Sequence, residues 1–85
     1  MERYTVLFEP DMVEAMAGIP RAERHRLRAF FAGLTIDPHD KGDYEETTPG
    51  GRKLQVKIVG SRAIGYYVEE AAKLVWVNSL GPADR

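Results

Sequence analysis

Four cations, Arg52, Lys53, Lys57 and Arg62, stand close together in this 85-residue chain, in a stretch from 51 to 68 that holds no acid. Lys53, Gln55 and Lys57 alternate with Leu54, Val56 and Ile58, the period of a strand, so Lys53 and Lys57 point the same way. The Gly60-Ser61 turn then brings Arg62 back beside them. Fixed cations converging on one surface bind a nucleic-acid backbone. They also stabilise the charge that builds on a phosphate attacked by a neighbouring 2′-hydroxyl. The plainer possibility is a solubilising face, because lysine blunts exposed strands against aggregation. Tyr66 and Tyr67 point to opposite sides of their strand, one into the core and one onto an open face, where it can stack on a base. Tyr67 is the candidate for that contact.

Other chemistries have little to work with. Neither GxxxxGK[ST] nor GxGxxG occurs, and Gly50-Gly51 precedes a strand instead of joining strand to helix. His25 and His39 have no partner His at helical spacing, and the absence of cysteine removes thiolate zinc sites and thiol nucleophiles. No metal and no cofactor are expected. The neighbouring pairs Glu45-Glu46 and Glu69-Glu70 read as solvated charge, since adjacent strand or loop residues point apart. Arg21, Arg24 and Arg28 line one helical stripe and read first as a solvated face, with use by RNA or a partner protein as the alternative. Trp76 reads as core or interface.

The elements that position the cations follow from periodicity. Tyr4-Thr-Val-Leu-Phe8 predicts a short, well-buried strand. Pro10 opens a helix to about Ala17 that buries Met12, Val13 and Met16, with acids at its start and Gly18 at its end. Pro20 opens a second helix to Leu34, in which Leu27, Phe30, Phe31 and Leu34 share a face. Residues 35 to 51 lose all periodicity and read as an acidic surface loop. Strands at 53–59, 62–68 and 73–79 follow, joined by links short enough for an antiparallel meander. The expected fold is α+β, strand-helix-helix-strand-strand-strand, with a two-helix hairpin packed on one face of a four-stranded sheet. The other face would be left open, and the apolar alternation, taken to face the helices, puts Lys53 and Lys57 on it.

Size allows one domain, residues 1–85, and no separate cofactor cradle. Apolar residues at 44% suffice for one core. No run approaches the roughly 18 apolar residues of a membrane span, the start is acidic instead of basic and apolar, and cysteine is absent. A cytoplasmic protein with no membrane role is therefore expected. The net charge of −1 hides strong blocks: −3 over 1–19, +3 over 20–36, −4 over 37–50, +4 over 51–68 and −1 over 69–85. A near-neutral chain can thus present a strongly positive patch.

Tyr4-Thr-Val-Leu-Phe-Glu-Pro10, the hairpin with Ile19-Pro20, the Asp37-Pro38 loop entry and Leu54-Gln-Val-Lys-Ile-Val-Gly-Ser-Arg62-Ala-Ile-Gly-Tyr66 resemble the RelE/ParE superfamily of toxins from bacterial type II toxin-antitoxin systems. The resemblance runs through essentially the whole chain in order, on patterns of residue type. It implies the toxin component of such a system, silenced by a cognate antitoxin whose flexible segment wraps it. The RelE-like form is a metal-independent endoribonuclease that cuts mRNA at the ribosome and inhibits growth. The alternatives are a ParE-like inhibitor of DNA gyrase, or a degenerate member that only binds protein. By the resemblance, Lys57 and Arg62 match groups that act around the scissile phosphate, as transition-state or general-base groups. Gln55 falls where ribonuclease members often carry a second lysine, and Arg52, Lys53, Gln55 and Tyr67 are the implied RNA contacts. After Gly81, where relatives often have a further basic residue and then Tyr or His, this sequence reads Pro82-Ala83-Asp84-Arg85. No general acid for the leaving 5′-oxygen is identified.

Overall fold

The structure, a computed structural model, describes residues 3–39 and 41–83. Its elements in chain order are β1 (Thr5–Phe8), α1 (Pro10–Ala17), α2 (Arg21–Leu34), β2 (Tyr44–Thr47), β3 (Lys53–Val59), β4 (Arg62–Glu69), a 3-10 turn (Glu70–Ala72) and β5 (Leu74–Pro82). One mixed sheet has the order β1-β5-β4-β3-β2. β1 lies parallel to β5, with Val6 beside Val75, and every other pairing is antiparallel.

The sheet therefore has five strands, not four. The additional one, β2, lies inside the segment expected to be a loop, and it pairs Tyr44 with Val56 and Thr47 with Lys53. Its sequence, Tyr-Glu-Glu-Thr, is short and acidic. Glutamate is a poor strand former, but a brief charged strand is a common way to end a sheet without inviting further pairing.

The helices form where the pattern predicts. Pro10 sits at the start of α1, where its missing N–H costs no hydrogen bond, and Pro20 caps α2. Leu27, Phe31 and Leu34 bury one stripe of α2. With Met12 and Ile19 they pack on Ile64 and Tyr66 of β4 and on Val75 and Val77 of β5. Each such side chain contributes about 1.5–3 kcal/mol through the area it removes from water. Two expectations of burial fail. Val13 is 64% exposed on the outer side of α1, because its position turns away from the stripe of Met12 and Met16. β1 is only half-buried at Val6 and Leu7, with Thr5 and Phe8 exposed, because it is an edge strand paired on one side.

Two glycines permit the chain path that the cations depend on. Gly60 has φ +62° in the β3–β4 turn, a conformation that strains side-chain-bearing residues, and an arginine nitrogen of Arg26 comes within 3.1 Å of where a Cβ would stand. Gly65 lies under Leu54 and Ser79, and a Cβ there would be 2.5 Å from Ser79 Oγ. The register slips beside it: Gly65 opposes Ser79 while Tyr66 opposes Val77, which leaves Asn78 as the extra residue of a bulge.

Candidate functional site

Directly opposed residues of antiparallel strands share a face. Gln55 opposes Tyr66, Lys57 opposes Ile64 and Val59 opposes Arg62, while Tyr66 and Ile64 belong to the core beneath the helices. Lys53, Gln55, Lys57 and Arg62 thus lie on the helix-bearing side of the sheet, on the wing that the hairpin leaves uncovered. This reverses the expectation that puts Lys53 and Lys57 on the open face. Alternation sorts β3 into two sets but does not say which set faces the helices. Leu54 and Val56, each only 3% exposed, are buried on the opposite side, where Leu54 lies over Gly65.

The six candidate residues accordingly divide. Lys57 and Arg62 are diagonal neighbours on the helix-bearing side, with Gln55 and Lys53 further along the same row. Arg52 and Tyr67 are brought together elsewhere, on the open face, the guanidinium carbon standing 4.1 Å from the centroid of the ring. Tyr66 is the core member of the tyrosine pair, fully buried, and Trp76 lies beside Tyr67 on the open face, half-buried.

The cations are not bare. Lys57 Nζ donates to Asp43 Oδ1 at 3.3 Å, and Arg62 Nε donates to Glu23 Oε1 at 3.0 Å. Asp43 Oδ2 also accepts the Ile58 N–H at 2.7 Å, and that bond first, with Lys57 after it, holds the Asp43 carboxyl below its ordinary range. The Ser61 hydroxyl adds a 3.4 Å bond to Glu23. Gln55 Nε2 donates to Glu45 at 3.2 Å, and a Cβ at Gly42 would stand 2.5 Å from its Oε1. Lys53 is exposed and has no polar partner among the described residues. The −4 sequence block, through Asp43 and Glu45, is folded directly along the +4 block. Asp43 and Glu23 are the site residues that sequence reasoning missed. The available signal was Glu23 as the lone acid of a basic helix.

The second basic block contrasts with the first. Arg21, Arg24, Arg26 and Arg28 line, with His25, an open hollow along α2, and none has an acidic partner among the described residues. His39, which has no partner His at helical spacing, and Glu70, read as solvated charge, meet at the far end of β4 from Arg62. Tyr4 Oη lies 3.2 Å from His39 Nε2 and donates to Glu70 at 2.9 Å, His39 Nε2 lies 3.1 Å from Glu70 Oε1, and Lys73 bonds Glu70 as well. Lys73 foremost, then Tyr4, holds the Glu70 carboxyl down. Partial burial together with Glu70 pushes the Tyr4 phenol up.

Chemically, the wing offers an ammonium and a guanidinium that can face one phosphate, and the titratable side chains that meet them among the described residues are the carboxylates of Asp43 and Glu23. Asp84 and Arg85 lie outside the described residues. Among those described, no cluster of three or more His, Asp or Glu could hold a metal ion, and no helix is long and apolar enough to cross a membrane.

The chain matches no family model and no curated protein. Its structure, however, superposes on a RelE–RelB complex from the archaeon Pyrococcus horikoshii with a TM-score of 0.81 at 25% identity, over 96% of this chain and 97% of that one. The chain has the RelE toxin fold. A RelBE toxin-antitoxin complex from Mycobacterium tuberculosis gives 0.80 at 19% identity, over 99% of this chain and 97% of that one. The intact Escherichia coli RelBE complex gives 0.77 at 18%, over 96% and 99%. Within this fold the strand order and hairpin place Lys57 and Arg62 on the wing beside α2.

Proposed function

We propose that this protein is the toxin of a type II toxin-antitoxin pair, that it acts on RNA in the RelE manner as a metal-independent mRNA interferase at the ribosome, and that a cognate antitoxin silences it. The observation that carries the reading is the match of nearly the whole chain to RelE folds whose structures are toxin-antitoxin complexes. The adjacency of Lys57 and Arg62 on an uncovered wing supplies the phosphate-facing chemistry. Lys53, and on the other face Arg52 over Tyr67, would extend contact with the strand by charge and stacking. A protein partner has apolar surface to cover, since Phe8 and Val13 are exposed on the rim of a groove floored by Met16 and Phe31.

Induced expression in bacteria, with and without the protein encoded beside this chain, tests the reading. Growth arrest relieved by the neighbour, with ribosome-dependent cleavage of message, is the expected result. Growth indifferent to both would overturn it, and arrest with a DNA-damage response but intact message would replace RNA by gyrase as the target. Lys57→Ala with Arg62→Ala is expected to abolish arrest.

One observation favours a second reading, a binding module without catalysis. Both central cations are already neutralised by carboxylates, Lys57 by Asp43 and Arg62 by Glu23. Tight binding to the neighbouring protein with no toxicity would select it.

A further inference from the structure

On the reading of Lys57 and Arg62 as phosphate-facing, we propose that Asp43 and Glu23 are carboxylate gates. They occupy the seats that phosphate oxygens would take, so RNA must displace them to bind.

Each cation meets one carboxylate oxygen, at 3.3 Å for Lys57–Asp43 and 3.0 Å for Arg62–Glu23. The carboxylates come from opposite flanks, Asp43 from the residue before β2 and Glu23 from the first turn of α2, so the pair of cations is bracketed from both sides. Neither acid is there by a chance swing of a free side chain. Asp43 is fixed by the Ile58 N–H, and its own N–H donates to the Val56 carbonyl at 2.7 Å. Glu23 is also bonded by Ser61. Lys57, on a flexible four-carbon stem, can leave Asp43 without disturbing that anchoring. The four side chains are between 27% and 43% exposed, and ion pairs at that depth are cheap to open because water replaces the lost partner. A phosphate diester offers a full negative charge and two free oxygens, enough to take either cation from its acid. Lys53 has no acid to lose and would supply the first encounter. Affinity for RNA is therefore set by an exchange of anions, and the protein binds more weakly than its cations alone allow.

The test is fluorescence anisotropy of a fluorescein-labelled single-stranded RNA at low salt. Asp43→Asn keeps an amide oxygen for the Ile58 N–H while removing the charge that holds Lys57. Glu23→Gln does the same for Arg62 and leaves β2 untouched, so it carries the test if the first variant does not fold. Each is expected to bind about two- to fivefold more tightly than the wild type, and the double variant about tenfold, the range that opening one exposed pair spans. Glu14→Gln makes the same change of net charge on the exposed surface of α1 and is expected to bind like the wild type. Gate variants no tighter than the wild type, or a Glu14→Gln effect as large as theirs, would overturn the gates. The double change Lys57→Ala with Arg62→Ala separates the two levels of the argument. If it leaves affinity undiminished, the phosphate-facing reading falls and the gates with it. If it weakens binding while the gate variants fail to tighten it, the gates alone fall.

Discussion

The half of the sheet beneath the hairpin and the wing formed by β2 and β3 are held by different forces. Under the hairpin, Leu34, Ile64, Tyr66, Val75 and Val77 are completely buried, and position follows from close packing. On the helix-bearing side of the wing the order comes from polar pairs: Asp43 with Ile58 and Lys57, Gln55 with Glu45, Arg62 with Glu23. Packing is stiff and responds little to pH or competing anions, whereas such pairs are individually weak and respond to pH, salt and competing anions. The candidate site lies on the side of the molecule that can exchange partners without unfolding the rest.

The largest expected effect belongs to the packed half. Leu34→Ala removes a side chain with no exposed surface and should cost about 2–5 kcal/mol, transfer plus residual cavity, read as a lowered midpoint in urea. A loss smaller than that of Glu23→Gln would mean that packing does not dominate beneath the hairpin. Next comes the seam. At Gly65→Ala the new methyl would meet Ser79 Oγ at 2.5 Å and Leu54 Cδ1 at 3.2 Å. The serine hydroxyl can rotate away but the leucine must yield, so about 1–2 kcal/mol is expected. Combining it with Leu54→Val should restore part of that in a double-mutant cycle, whereas strict additivity would show that the leucine is not what resists.

These same two regions differ in how far the sequence reveals them. The hairpin was legible because Pro10, Pro20 and the spacing of Leu27, Phe31 and Leu34 each have one structural meaning. The meander was legible from Leu54, Val56 and Ile58 and from the Gly60 turn. β2 was not, since Glu45 and Glu46 give no apolar period and the strand exists only through pairing with β3. The face of Lys57 was not legible either, because β3 buries Leu54 and Val56 on the side away from the helices, and periodicity carries no sign. The gates depend on register and on packing between distant segments: Glu23 stands out locally as the lone acid of a basic helix, but its partner Arg62 lies 39 positions away.

A third, smaller effect concerns pH. The folded Asp43 carboxyl titrates below its ordinary value, chiefly through the Ile58 N–H. A depressed carboxyl contributes stability that is fully present above the unfolded pKa of about 3.9 and is lost as pH falls through the folded value. Acid should therefore loosen the wing before the packed half. The protection of the Tyr44–Thr47 amides, their exchange rate taken relative to the intrinsic rate at each pH, should fall between neutral pH and pH of about 3, while β4 and β5 stay protected. Asp43→Asn should remove that extra dependence. Equal loosening of β2 and β5 would mean that the two regions open as one.

The smallest effect separates the paired cations from the unpaired ones. Arg21 begins α2, three residues before Arg24, and has no acid beside it among the described residues. A cation there opposes the positive end of the helix and repels its neighbour. Arg21→Glu reverses both interactions and should raise stability by about 0.5 kcal/mol at low salt, an increment that fades near 1 M salt, where screening acts within roughly 3 Å. Arg62→Gln removes a cation that has a partner, so its sign is opposite: stability falls, by no more than about 1 kcal/mol. Thermal melts of both variants at the two salt concentrations give the comparison directly. If both changes stabilise, Glu23 contributes nothing to holding Arg62, and the distinction between the two basic blocks is lost.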